Sequence, residues 1–227
     1  MKNKYLVENQ IACLIKTTRH ANYHLSDEQI EHFKQYLIKL LQWNNRINLI
    51  SKNDEIRVVS RHFLESIAIF DIIDFPINSC IIDIGTGAGF PGLPLKIIRP
   101  DLNLMLLDSK RFKTLFLTDV LNILKLSNVE VIKERAEIAC LKPALNRKFD
   151  FVMSRAVANI STIYKWTNKF LKPEASILAL KGGDIEKEIE LFRKEYKMID
   201  VKVLPLKSLL IKSDSNIFIV QIVNCTN

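Results

Sequence analysis

Glycine is scarce in this chain: there are six in 227 residues. Four of those six fall within eight positions, at 85, 87, 89 and 92, so backbone that must bend or lie bare is concentrated in one place. Cysteine is as sparse. Cys13, Cys80, Cys140 and Cys225 are scattered, and none pairs in a C-x-x-C spacing. That argues against a zinc site and against a disulfide framework. Cys80 and Cys225 fall in strand-like runs and read as ordinary buried residues. No apolar run reaches the roughly 20 residues that a membrane-spanning helix needs. No signal peptide, internal repeat or low-complexity segment is evident. These absences point to a soluble cytoplasmic protein that works without membrane or metal, and the chain is expected to be a monomer.

What is present is a core and a charge. Hydrophobic residues make up 48% of the chain, enough for one domain with an appendage. The formal net charge is +8 and the pI about 9.3. Basicity of this size permits nucleic-acid binding, although a Lys-, Asn- and Ile-rich composition produces some of it without function. Its distribution is more telling. Residues 1–75 carry 10 Lys/Arg against 9 Asp/Glu, and residues 76–227 carry 23 against 16, so an excess of +7 lies with the glycine cluster.

The cluster itself follows Ile81, Ile82 and Ile84, an apolar run that reads as a buried parallel strand. Pro91 and Pro94 suit the first turn of a helix after it. Strand, glycine loop and helix form a cradle for a nucleotide cofactor. Gly87 to Gly92 satisfies G-x-G-x-x-G, and Asp108 follows about twenty residues on, as a dinucleotide site requires. Yet Asp83 stands two residues before the first glycine, giving Asp-x-Gly-x-Gly-x-Gly. A carboxylate there suits the loop's own N–H groups or a cationic aminoacyl sulfonium, whereas pyrophosphate favours donors at a helix N-terminus. The residues favour S-adenosylmethionine over NAD, with a ligand-free structural turn as the third reading.

The surrounding pattern has two parts. Residues 4–18 suit a short helix. Ser26 with Gln29 forms a capping box, after which Ile30, Phe33, Leu37, Leu40 and Leu41 keep helical spacing to about residue 44. A third helix is predicted over 58–72, and Pro76 and Asn78 mark the boundary. Beyond it, strands at 80–84, 103–108, 129–133, 149–154 and 175–180 alternate with helices at 93–99, 110–126, 160–171 and 184–196. That alternation implies a doubly wound parallel sheet. Runs at 198–204 and 216–223, with no helix between them, add a C-terminal antiparallel pair. The expectation is an α/β Rossmann-like sheet of the class I methyltransferase type over 76–227, preceded by a helical extension over 1–75.

Several short motifs, in this order and spacing, resemble the small-subunit ribosomal RNA guanine-N7 methyltransferase G family. Trp43-Asn44 with Asn48-Leu49 resembles W-N-x-x-x-N-L. Arg61-His62 with Glu65-Ser66 resembles R-H-x-x-D-S, with Glu65 in place of Asp. Asp83 to Pro94 resembles D-x-G-T-G-x-G-x-P-G-x-P. Asp108-Ser109, Arg135-Ala136-Glu137, Ser154-Arg155-Ala156 and Lys181-Gly182 continue the series to about Val223. The chain departs from the pattern where Phe112-Lys113 replaces Lys-Arg and where Ser215 replaces an Arg before the last strand. Each departure removes a cation. The loop from Glu137 to Phe149 also looks long.

The resemblance implies methyl transfer from S-adenosylmethionine to guanine N7 in a loop of 16S ribosomal RNA, naked or within the small ribosomal subunit. It implies that Gly85, Gly87 and Gly89 line the cofactor with Asp83 at their base, that Phe90 packs beside it, and that Ala136 and Glu137 border the adenine. Asp108, a bidentate acceptor, suits the ribose diol. Arg155, at a strand's C-terminal end, is expected to reach the methionine carboxylate or the RNA. Lys110, Arg111, Lys113 and Arg135 are the candidate RNA contacts; His62 is structural or touches RNA. The chemistry agrees. The segment after the fourth strand lacks the Asn/Asp-Pro-Pro-aromatic motif that holds an exocyclic amine. Cys140 lacks the setting of a pyrimidine-attacking nucleophile. Guanine N7 carries a free lone pair and loses no proton, so no catalytic base is expected. An NAD-dependent oxidoreductase and a non-catalytic RNA-binding assembly factor remain as alternatives; no hydride-transfer constellation is visible for the first.

Overall fold

The computed structural model describes residues 2–223. Cys225, expected in a strand, lies outside them, and Cys80 is only partly buried. Two helices open the chain: α1 (Lys2–His20) and α2 (Asp27–Asn44). The capping box at the start of α2 forms on both sides. Ser26 Oγ accepts from the Gln29 N–H (3.1 Å), and Gln29 Oε1 accepts from the Ser26 N–H (3.0 Å). The helix predicted over 58–72 is broken instead. A 3-10 turn (Lys52–Arg57), a π turn (Val59–Phe63), a single α turn, α3 (Leu64–Ile67), and another 3-10 turn (Ala68–Asp71) follow one another. Val58, Val59, Phe63, Leu64, Ile67, Ala68 and Ile69 are all buried. Nearly every side of this segment packs, and the backbone winds unevenly to bury it.

The second part alternates as predicted: β1 (Cys80–Ile84), α4 (Gly92–Ile98), β2 (Asn103–Asp108), α5 (Arg111–Leu124), β3 (Val129–Lys133), α6 (Ala136–Ala139), β4 (Phe149–Arg155), α7 (Ile160–Thr167), β5 (Leu171–Gly182), α8 (Glu186–Glu195), β6 (Val201–Pro205) and β7 (Ile217–Val223). Among the described residues one sheet forms, in the order β3-β2-β1-β4-β5-β7-β6. β1 to β5 pair in parallel, and β7 inserts between β5 and β6, antiparallel to both. The stretch between Glu137 and Phe149 holds α6 and a 3-10 turn (Pro143–Leu145). β5 is twice as long as the predicted run, because its start pairs with Phe149 across an irregularity in register.

One apolar cluster packs the N-terminal helices on a face of the sheet, with Leu14, Phe33, Leu37 and Leu40 joined to Leu106, Leu178 and Ile219. The opposite face packs against α7 and α8 through Ile160, Ile163, Ile189 and Phe192. The Trp-Asn pair earns its place here: Trp43 Nε1 donates to Asp119 of α5 (2.8 Å), while Asn44 Oδ1 accepts from the N–H groups of Leu49 and Ile50 (2.9 Å each). The first fixes α2 on α5, and the second turns the chain out of the helix.

Candidate active site

In an open parallel sheet, ligands bind beyond the C-terminal strand ends where the strand order reverses. Here that point lies between β1 and β4. Asp83, next to the end of β1, is fully buried. Its Oδ2 accepts from the Thr86 hydroxyl (2.7 Å) and the Gly92 N–H (2.9 Å), folding the whole loop back over the strand end. Its Oδ1 is buried with no partner. Burial pushes the Asp83 carboxyl up to about 7, against the pull of the Thr86 and Gly92 bonds; the nearby Asp108 charge adds to the rise and Arg155 lowers it. Asp108 ends β2 and pins the loop from the side: Oδ2 accepts from the Gly87 N–H (3.0 Å) and Oδ1 from the Lys110 N–H (2.8 Å).

The three loop glycines at positive φ have different reasons. A Cβ on Gly85 would come within 2.7 Å of Val157, and one on Gly89 within 2.7 Å of the Tyr36 hydroxyl. Both face protein. A Cβ on Gly87 (φ +61°) would meet nothing nearer than Lys113 Nζ at 3.8 Å. Only Gly87 keeps open space clear.

A cavity of about 360 Å³ lies beside the loop, at the ends of β1 to β4. It brings together Gly85, Asp108, Ala136 and Glu137, named as cofactor residues, with Lys110, Lys113 and Arg135, named as RNA contacts. Lys113 Nζ stands 3.9 Å from Asp108 Oδ2, and Arg135 pairs with Glu137 at 3.4 Å. Arg111 is exposed and does not line the cavity. Four wall residues were not anticipated from sequence: Leu107, Glu134, Val157 and Trp166. Trp166 comes from α7, and its only signal was a Trp near the end of a helix. Ala156, also in the wall, holds φ +54°, a conformation a residue with a Cβ adopts only where its surroundings enforce it.

Phe90 and Arg155 lie elsewhere. Phe90 is buried under the loop, stacked on the His62 ring at 4.7 Å and 11°, with Tyr36 at 5.7 Å and Phe63 at 6.0 Å. The Tyr36 hydroxyl donates to the Ala88 carbonyl, so α2 supports the loop from below. Arg155 crosses from β4 to the N-terminal segment: Nη2 donates to Glu65 Oε2 (2.6 Å) and to the Arg61 carbonyl (2.8 Å). Arg61 reaches the other Glu65 oxygen at 3.3 Å. Burial nevertheless raises the Glu65 carboxyl. Arg155 Nη1 and both His62 ring nitrogens are buried without hydrogen bonds. Burial, with the Arg155 charge next, pulls His62 down to about 3, so its ring is neutral. Of the remaining motifs, Lys181 holds the segment after β4 by donating to the Ala158 carbonyl (2.6 Å) and to Glu188 (2.7 Å).

The antiparallel β7 separates this sheet from a dinucleotide-binding one, whose sixth strand runs parallel to the rest. With the loop and acid at the switch point, it makes the chain a class I S-adenosylmethionine-dependent methyltransferase. An S-adenosylmethionine-dependent methyltransferase of known structure from Aquifex aeolicus has this fold, with a TM-score of 0.53 and 18% identity over 70% of this chain and 92% of the other. The model of the rRNA small subunit methyltransferase G family (GidB) matches residues 29–217, and the chain belongs to that family. The ribosomal RNA small subunit methyltransferase G of Clostridium beijerinckii is 40% identical over 83% of this chain and 79% of its own length. That of Thermoanaerobacter pseudethanolicus is 36% identical over 92% and 85%.

Proposed function

We propose that the chain methylates the N7 atom of a guanine in a loop of 16S ribosomal RNA, with S-adenosylmethionine held against the loop from Asp83 to Gly92. The space kept clear at Gly87, between two acids that pin the loop, carries this reading. The donor set fits the cofactor. Asp83 Oδ1 and Arg155 Nη1 are buried and unpartnered, and their charges act on one another. An orphan acceptor and an orphan donor complement the ammonium and carboxylate of an amino acid. Asp108, already accepting two backbone bonds, has lone pairs left for a ribose diol, and Trp166 and Ala136 offer apolar walls to the adenine.

Bound there, S-adenosylmethionine supplies a methyl carbon on a cationic sulfur. The chain's task is then alignment of N7 with that carbon, together with exclusion of water. No residue need take a proton, because N7 attacks with a free lone pair. With the cofactor bound, the Asp108 carboxylate in the cavity wall would favour the positive charge that passes to the base. Lys110, Lys113 and Arg135 stand at the cavity and Arg111 beside it, where RNA phosphates would pass. On this reading residues 76–227 form the transfer domain and residues 1–75 its helical extension, and the enzyme acts as a monomer in the cytoplasm, where small subunits assemble. Among the described residues no helix is long and apolar enough to cross a membrane.

Mass spectrometry of 16S rRNA from a strain lacking this chain tests the proposal. One 7-methylguanosine should disappear and return on complementation. An unchanged rRNA, or loss of a different modified nucleoside, would contradict it.

A further inference from the structure

The first turn of α5 combines exposed apolar side chains, cations and an uncapped helix N-terminus at the edge of the cavity. Phe112 is 57% exposed, and Leu115, three residues on and thus on the same helix face, is 43% exposed. Lys110 and Arg111 are exposed, and neither has a carboxylate partner among the described residues. The turn contains no acidic residue and no side-chain cap, so its free N–H groups add to the positive potential of Lys110, Arg111 and Lys113. Lys110 and Lys113 line the cavity, and Phe112, on the same helix turn but outside that lining, lies on the adjoining face with Leu115.

A single exposed apolar residue carries no meaning by itself. An exposed aromatic ring preceded by two cations without ion-pair partners, beside a cavity read as a methyl-transfer site, has a specific complement. Cations and a helix N-terminus attract phosphates, and the flat ring offers a face on which any base can stack. A guanine presented to the cavity from a loop brings its flanking nucleotides past this point, already unpaired.

We propose that Phe112 is a stacking platform for a base flanking the target guanine in single-stranded RNA, with Lys110 and Arg111 holding the adjacent phosphates. This rests on the reading of the cavity as an rRNA methylation site. It also gives the departure at position 112 a purpose: a phosphate contact is exchanged for a base contact.

The test uses the full chain and a fluorescent single-stranded RNA oligonucleotide spanning a loop guanine, with affinity read by anisotropy across a salt series. Phe112→Ala and Phe112→Leu should weaken RNA binding by about tenfold, within the range for loss of one base–aromatic stack. Phe112→Trp should bind as tightly as wild type or more so. All three should keep the wild-type salt slope and the wild-type S-adenosylmethionine affinity by calorimetry. Lys110→Glu with Arg111→Glu should instead flatten the salt slope. Wild-type affinity in Phe112→Ala overturns the proposal. Full retention by Phe112→Leu overturns stacking in favour of plain apolar contact, and joint loss of cofactor and RNA affinity overturns the assigned surface. A wild-type protein that binds cofactor yet neither binds nor methylates RNA contradicts the methyltransferase reading instead, so the two failures are distinguishable.

Discussion

Gly87 and Gly85 share a φ of +61° but not a reason for being glycine. A side chain at 85 collides with Val157, whereas one at 87 enters open space. Gly87→Val should therefore fold, with a left-handed backbone penalty of about 1–2 kcal/mol, while S-adenosylmethionine binding measured by calorimetry disappears. Unchanged affinity would move the cofactor elsewhere. Asp108→Ala is a less clean probe than its place at a strand end suggests. It removes the acceptor for two backbone N–H groups, Gly87 and Lys110, so it should loosen the loop as well as weaken the cofactor, by about 1.5–3 kcal/mol for bonds to a charged group. Asp108→Asn, which keeps one acceptor, should recover part of the stability loss in a denaturant melt.

Two buried groups give opposite pH dependences. An unfolded His62 would titrate near 6.5, but the folded ring stays neutral down to about 3. Between those values the unfolded chain holds a proton that the folded chain refuses, so this group costs stability as pH falls, by at most about 1.4 kcal/mol per pH unit. Asp83 is held near 7, so between about 4 and 7 the folded chain holds the extra proton and stability drops as pH rises. His62→Phe removes only the first effect. Relative to wild type, the variant should gain stability progressively below pH 6.5 in urea melts. Parallel curves from pH 7 to 4 would show that His62 is not buried as described.

At the scale of elements, α2 supports the cofactor loop. Tyr36 donates to the Ala88 carbonyl and occupies the space that a side chain on Gly89 would fill. Tyr36→Phe leaves a buried carbonyl unpaired. It should cost about 1–3 kcal/mol of stability and raise the KM for S-adenosylmethionine, although Tyr36 lines no part of the cavity. Unaltered stability and KM would mean that the loop holds itself. The elements that sequence predicted well were those with local signals: the capping box at Ser26, the Ile-rich β1, and the alternation from β1 to β5. The broken helix over 52–71 was not legible, because its winding answers to packing on several sides rather than to its own periodicity. Trp166 and Val157 were missed for the same reason. They become wall residues only when β4 and α7 are brought beside the glycine loop.

At the scale of the molecule, the site was legible as motifs but not as a map. The sequence grouped Asp108, Ala136 and Glu137 with the cofactor and Lys110, Lys113 and Arg135 with RNA; the fold puts all six around one cavity. It placed Phe90 and Arg155 at the cofactor. In the fold Phe90 packs beneath the loop and Arg155 ties to Glu65 with one nitrogen left unpartnered, so neither lines that cavity. Side-chain direction depends on what lies across from each strand end, which no local spacing encodes. With no proton to remove from N7 and no base assigned, the single-turnover rate at saturating cofactor should vary little from pH 6.5 to 9. Single-turnover methyl transfer to 16S rRNA in which the target guanine is replaced by 7-deazaguanine, a base identical except that N7 is a C–H, shows whether N7 is the acceptor. Ordinary RNA should be methylated and the 7-deaza RNA should receive no methyl group; transfer to the substituted base would contradict the account.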